Sequence, residues 1–247
     1  MDDAGYDDDH LAKIYDEDNG DGPDHDYFRS MADDLSASSI TDLGCGTGIL
    51  TVTLAKKGRI IVGIDPAAAM LTHAATRPGG DRVEWRRGTS ELIDRDANDL
   101  IVMSGNVAMH IIDEAWRATL LDIAQGLKAG GRLVFETRNP RNESWTAWGG
   151  PAEVRETSAG TLRESESVSG PDADGTVTMT TSHEFIGAGR TIETTLRLRF
   201  RSAETLQRDL HSVGLRIENL WSDWHRSPFT GSAEERLIVV EASKGFD

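Results

Sequence analysis

A single cysteine, Cys45, occurs in 247 residues, so no disulfide can form within the chain, which suits a reducing compartment such as the cytoplasm. No apolar run approaches the roughly 18 residues of a membrane helix, and the aspartate-rich N-terminus lacks the charged-then-apolar layout of a signal peptide. The expectation is a soluble cytoplasmic protein with no membrane partner. Basic side chains are few, 26 against 42 acidic ones, and lysine is confined to Lys13, Lys56, Lys57, Lys128 and Lys244. The resulting net charge of -16 sets up a field that repels polyanions, which disfavours bulk DNA or RNA as a partner. Hydrophobic residues make up 38% of the chain, enough for one sizeable core at a length that a single α/β domain commonly reaches.

The most informative segment is Asp42-Leu43-Gly44-Cys45-Gly46-Thr47-Gly48. It joins an apolar run, Ser39 to Leu43, to a helical pattern over Ile49 to Lys57, so the glycines form a strand-to-helix turn whose backbone amides can face a ligand. The spacing is G-x-G-x-G. A dinucleotide fingerprint would place its third glycine at position 49, where this chain has Ile49, so a pyrophosphate is the less favoured guest.

From residue 39 strand and helix patterns alternate. Strands are expected at Ser39 to Leu43, Ile60 to Ile64, Arg82 to Arg87, Asp99 to Ser104 and Arg132 to Thr137. Helices are expected around Leu50 to Lys57, Ala67 to Arg77 and Asp113 to Leu127, the last ended by Gly130-Gly131. This cadence specifies a mostly parallel sheet covered on both faces, with a ligand at the carboxyl ends of its strands. Ahead of it, Leu11, Ile14, Tyr15, Tyr27, Phe28, Met31 and Leu35 recur at helical steps and predict two short amphipathic helices capping the pocket. The run Asp16 to Gly22 looks superficially like a calcium loop, but Gly20 and Asp21 break the ligand pattern, so no metal site is expected and a solvated turn is. After Arg138 the segments Val154 to Ser158, Thr161 to Val168, Thr176 to Phe185 and Thr191 to Arg201 read as an antiparallel meander. A helix over Ala203 to Val213 and strands over Leu215 to Trp221 and Arg236 to Ala242 bring the main sheet to seven. The organisation is one domain: cap 1–36, ligand-binding core 37–138, inserted meander 139–201, final helix and strands 202–247.

With a glycine turn followed by Ile60-Ile61-Val62-Gly63-Ile64-Asp65-Pro66, the chain resembles the class I S-adenosylmethionine-dependent methyltransferases, most closely the small-molecule type. The similarity is good from about Leu35 to Thr137 and loose beyond. It implies a Rossmann-like, doubly wound α/β fold, S-adenosyl-L-methionine as cofactor, and a small-molecule acceptor. By the same resemblance Asp42 and the turn Gly44, Cys45, Gly46, Thr47 and Gly48 hold the methionine portion. Asp65, with Pro66 after it, takes both ribose hydroxyls, a cis-diol matched to the two oxygens of a carboxylate. Met70 lies against the adenine, and Gly88, Thr89 and Ser90 stand where relatives contact the adenine amino group, Thr89 replacing an aspartate. Ser104 and Asn106 end the fourth strand at the mouth where cofactor and acceptor meet, and Tyr15 and Arg29 of the cap lie near the methionine end.

The proton-handling candidates are His110, just past the fourth strand, and behind it Tyr15; a base is needed only where the acceptor must lose a proton. His110 has a plain alternative as a residue packed at a helix start, and Cys45 reads as a small apolar filler of the turn without a catalytic role. Arg197, Arg199 and Arg201 alternate with Leu196, Leu198 and Phe200, placing three guanidinium groups on one strand face that is either solvated or reads an anionic group on the acceptor. Among Trp145, Trp148, Trp221 and Trp224, one or two are candidates for lining the acceptor pocket. A nicotinamide-dependent oxidoreductase and a non-catalytic cofactor-binding module remain the alternatives, and a homodimer is compatible with the sequence.

Overall fold

The computed structural model describes residues 5–245; residues 1–4 of the expected cap and 246–247 lie outside them. The strands β1 (Ser39–Leu43), β2 (Ile60–Asp65), β3 (Glu84–Arg87), β4 (Asn98–Met103) and β5 (Leu127–Arg138), with β10 (Leu215–Trp221) and β11 (Leu237–Lys244) from the end of the chain, form one seven-stranded sheet ordered β10-β11-β5-β4-β1-β2-β3. Only β11 runs against the others. All five residues of β1 are buried, as befits a strand covered on both faces. The chain leaves β1 toward β2 and β3 on one side and returns through β4 and β5 on the other, so a crevice opens at the carboxyl ends of β1 and β4.

The inserted strands β6 (Gly150–Thr157), β7 (Gly160–Val168), β8 (Thr176–Phe185) and β9 (Arg190–Arg199) make a separate antiparallel sheet in sequential order. Helix α1 (Asp9–Asp18) is wedged between this sheet and the core. Its Leu11 and Ile14 pack on Leu162 and Phe185 of the insertion, and its Ala12 on Ala67, Ala69 and Met70 of the core. Charged contacts fasten both sides: Asp18 pairs with Arg155 at 2.6 Å, and the Thr47 hydroxyl donates to Asp16 at 2.6 Å.

Helix α2 (Pro23–Asp34) does more than the expected capping. Its first turn brings Asp24 and His25 to the cavity described below, while Tyr27, Phe28 and Met31 cover one face of the main sheet, packed with Ile40, Leu100, Val134 and Val239. The opposite face is covered by α6 (Asp113–Gly126) and α7 (Ala203–Ser212) through Trp116, Leu120, Ile123, Leu206 and Leu210. Between these lie α3 (Thr51–Leu54), α4 (Ala68–Thr76) and α5 (Val107–His110).

Three expectations are corrected. The helix after the glycine turn is the single turn α3, because Lys56 and Arg59 leave it to bind Asp33 and the carbonyls of Ala32 and Ala37. Gly130-Gly131 do not end a helix. Helix α6 stops at Gly126, and the glycine pair lies inside β5, where the register to β4 shifts. Gly130 takes φ +75°, and a Cβ on Gly131 would lie 2.9 Å from the Asn98 carbonyl oxygen. Finally, β9 ends at Arg199, so Arg201 leaves the row of guanidinium groups. It is buried, donates to the carbonyls of Ala108 and Ile111 at 2.7 and 2.6 Å, and lies 4.1 Å over the Trp116 ring, closing the end of α5. Arg197 and Arg199 stay outside, near Asp113. Among the described residues no helix is long and apolar enough to cross a membrane.

Helix α2 is tied to the sheet edge by one buried carboxylate. Glu241 of β11 accepts from the Tyr27 hydroxyl at 2.5 Å, the Trp221 indole at 2.8 Å and the Asn219 amide at 2.7 Å. A hydrogen bond to a charged group contributes about 1.5–3 kcal/mol. Tyr27→Phe is therefore expected to lower Tm by roughly 4–8 °C in scanning calorimetry; an unchanged Tm would show that the hydroxyl contributes nothing.

Candidate functional site

The glycine turn is demanded by backbone and packing alike. Gly44, Gly46 and Gly48 have φ of +75°, +53° and +72°, a region that costs other residues strain. A Cβ on Gly44 would sit 2.5 Å from Val107, and one on Gly48 would sit 2.6 Å from Trp85. Four amides of this turn are engaged within the protein. Gly44 and Cys45 donate to the Ile64 carbonyl at 2.7 and 3.1 Å, Gly46 donates to Asp65 Oδ2 at 2.8 Å, and Gly48 donates to the Cys45 carbonyl at 2.9 Å. Asp65 Oδ1 in turn accepts from the Ala67 amide at 2.9 Å, so main chain on both sides fixes the plane of this carboxylate.

Around it a cavity of about 820 Å³ opens at the carboxyl ends of β1, β2, β4 and β5. Its wall brings together, from the expected residues, Gly44, Cys45, Gly46, Thr47, Asp65, Pro66, Met70, Ser104, Asn106, Tyr15 and His110. Asp18, Asn19 and Gly20, taken from sequence as a solvated turn, also line it, while Asp16 is engaged by Thr47 and Asp21 by Arg29 and His25.

Six expected residues stand apart from that wall. Gly48 lies behind the turn against Trp85. Asp42 is buried beneath the floor, where Thr51 donates to its Oδ2 at 2.6 Å and burial pushes its pKa up to about 6. Arg29 is held by Asp21, Asp26 and Thr53. After β3, Thr89 turns its hydroxyl to Glu91, and Ser90 turns its own to Asp122 at 2.6 Å, which carries Gly88, Thr89 and Ser90 away from the cavity. Of the tryptophans, Trp224 lines the cavity, Trp221 serves Glu241, and Trp145 packs on Phe200 at 4.6 Å between ring centres.

Tyr15 reaches from α1 across the mouth. Its ring edge and hydroxyl are each 4.0 Å from where a Cβ on Gly46 and on Gly105 would lie, a close approach that a side chain at either glycine would narrow. Tyr6 contacts Tyr15 and His110 edge-on, at 6.1 and 5.8 Å. Behind this aromatic group lies a second cavity of about 580 Å³ under the inserted sheet, with Tyr6, Tyr15 and Met70 in its wall as well as in that of the first, and Trp148 on its far side.

Burial sets the proton chemistry. It raises the Tyr15 hydroxyl to about 12, helped by Asp65 and Glu136, so the phenol keeps its proton and donates. It lowers His110 to about 4, which leaves the imidazole neutral and makes it a weak proton acceptor at neutral pH. It pushes the Cys45 thiol up, consistent with an inert filler.

Sequence reasoning missed Glu136. This carboxyl is 2% exposed, lines the cavity from β5, accepts from the Asn106 amide through Oε1, and is pushed up to about 8 by burial. The available signal was an acid following directly on the apolar run Leu133-Val134-Phe135 in a strand buried on both faces. Arg138, Arg236 and the acids Asp24, Asp223, Glu234 and Glu235 were missed too, because they reach the cavity from the end of β5, from α2 and from the loop between β10 and β11.

A cavity of this size, a fixed acid at the end of β2 and an apolar wall at Met70 fit the nucleoside of S-adenosylmethionine. Residues 40–131 match the family model described as a methyltransferase domain. A ubiquinone biosynthesis O-methyltransferase of Nitrosomonas europaea is 30% identical over 122 residues, which is 47% of this chain and 51% of that protein, so the chain matches the relative over about half its length. The structure of the CcbJ methyltransferase from Streptomyces caelestis superposes with a TM-score of 0.76 at 21% identity, covering 100% of both chains. CalS10 from Micromonospora echinaspora, an amino pentose methyltransferase solved with S-adenosylmethionine bound, gives 0.63 at 18% identity over 94% of this chain and 96% of that one. Glycine turn, acid at the end of the second strand and strand order agree with these matches: residues 40–131 match a methyltransferase domain, and the fold is the one shared by the S-adenosylmethionine-dependent methyltransferases.

Proposed function

We propose that the protein catalyses S-adenosylmethionine-dependent methyl transfer to a small-molecule acceptor. The supporting observation is a single cavity with two chemically different ends: the amide-fixed carboxylate of Asp65 beside the glycine turn, and the ends of β4 and β5 with Ser104, Asn106 and Glu136. When bound, the cofactor supplies a sulfonium methyl group that a nucleophile can displace. The chain's own part is alignment and exclusion of water, and proximity of this kind accounts for much of the acceleration in such reactions.

In this reading Asp65 accepts from the ribose hydroxyls, Met70 supports the adenine, and the turn from Gly44 to Thr47 lies along the methionine portion. Tyr15, a protonated phenol across the mouth, positions the guest as a donor. His110 contributes a neutral ring beside Tyr6 rather than a strong base. The net charge of -16 and the acids at the rim argue for a small acceptor over a nucleic acid. The buried, free Cys45 favours the cytoplasm as the place of reaction.

Two outcomes follow. S-adenosylhomocysteine should bind with micromolar affinity in calorimetry, with Asp65→Ala weakening it at least about tenfold, the effect of losing one hydrogen bond to a charged group; equal affinity of the variant, or tighter binding of NADH, would remove the assignment. The second concerns pH. Glu136 holds its proton to about pH 8 when folded but only to about 4.5 when unfolded, so the native state binds more protons in that window. The stability this group contributes is full below about pH 4.5 and lost as pH rises through about 8. Unfolding free energy of the wild type relative to Glu136→Gln should fall across the same range; a pH-independent difference would mean that Glu136 ionises as in water.

A further inference from the structure

At the side of the cavity away from Asp65, two buried side-chain oxygens have no hydrogen-bond partner among the described residues: Oε2 of Glu136 and Oδ1 of Asn106. They sit on neighbouring strand ends, Asn106 just after β4 and Glu136 two residues before the end of β5, coupled by the bond from the Asn106 amide to Glu136 Oε1. Asn106 adopts φ +60° to make that turn. Strands lie about 4.8 Å apart, so the three-strand step from β5 to β2 separates Glu136 from Asp65 by on the order of 14 Å. Unpartnered polar atoms in a buried wall call for polar partners on the guest, and ionised Glu136 and Asn106 Oδ1 both call for donors.

The charge around them selects the kind of donor. Tyr15 from α1, Asp24 from α2 and Arg138 on β5 itself act on Glu136, and the same cavity wall holds His110 from α5, neutral through burial, Asp65 at its far side, and Arg236, Glu234 and Glu235 from the loop before β11. Among the described residues neither arginine forms an ion pair with Glu136. Acids outnumber the two arginines, of which Arg138 acts on Glu136 from along the strand, so the net field favours a cation over a neutral or anionic guest.

We propose that the methyl acceptor is an amine that docks as its ammonium ion, with N–H groups on Glu136 Oε2 and Asn106 Oδ1, and that Glu136 removes the proton that must leave before the nitrogen can act as a nucleophile. The inference rests on the methyltransferase reading of the same cavity. In the step, one N–H bond of R–NH₃⁺ breaks, its electron pair stays on nitrogen, and the proton bonds to the Glu136 carboxylate, giving R–NH₂ and a neutral carboxyl group. Glu136 later returns that proton to water. Burial prepares the group for this, since a carboxyl pushed up to about 8 accepts a proton far more readily than an ordinary one. In the empty cavity it is mostly protonated at neutral pH, so an arriving ammonium ion displaces that proton to the solvent before the docked pair reacts.

The test uses the full protein loaded with S-adenosylhomocysteine, titrated calorimetrically near neutral pH with cyclohexylamine and with its neutral isostere cyclohexanol. Expected are a preference for the amine of about tenfold or more, and a proton released on amine binding, read from the dependence of the heat on the buffer. In Glu136→Gln both should vanish while S-adenosylhomocysteine still binds as in the wild type. Failure of S-adenosylhomocysteine to bind the wild type would overturn the methyltransferase reading itself. If it binds, then equal affinity for the two probes, binding of neither, or an amine preference that survives in Glu136→Gln overturns the amine inference alone. A loss of S-adenosylhomocysteine affinity in Glu136→Gln with the amine preference intact would assign the cation to the cofactor's own α-ammonium and likewise overturn it.

Discussion

The carboxylate of Asp65 is the pin on which the site turns. It ends β2 and receives the amides of Gly46 from the neighbouring turn and Ala67 from the approach to α4, so one side chain fixes two loops and the first turn of a helix. The carbonyl of the preceding residue, Ile64, holds Gly44 and Cys45 in the same manner. A side chain at Gly44 or Gly48 would meet Val107 or Trp85, so the conformation that presents the acid to the cavity is enforced by packing as well as by hydrogen bonds. What the turn offers a ligand is thus a rigid acid and a smooth floor, more than a cradle of open amides.

The second structural theme is compensation of a large acidic excess by local pairing. Lys56 and Arg59 gather on Asp33, Arg155 reaches both Asp18 and Glu164, and Arg86 bridges Glu84 and Asp94. Exposed pairs of this kind contribute little stability each, but they use up cations across the surface.

Much of the fold is legible in the sequence because its signals are local. β1, β8 and β10 begin and end where alternation and apolar runs predict, and the glycine turn meets Asp65 at the end of β2. The misreadings arise where a distant contact overrides the local pattern. The helix after the turn is cut short by Arg59 reaching back to α2, and Gly130-Gly131 look like a helix stop until β4 is seen pressing on them. The hydroxyls of Thr89 and Ser90, expected near the adenine, are bound by Glu91 and Asp122, one of them on a helix more than thirty residues away. Glu136 is invisible for a different reason: a single acid in an apolar strand gains meaning only when the cavity beside it is known.

Helix α1 gives the molecule its most consequential asymmetry. Two hollows lie on either side of it, one over the main sheet and one beneath the inserted sheet, and Tyr6, Tyr15 and Met70 belong to the wall of each. A partition built in part from such side chains yields to a change of rotamer, with the main chain at rest. The space open to a guest is therefore adjustable in steps, from the first chamber alone to both in series, and exchanging a ring for something smaller alters it without disturbing the fold.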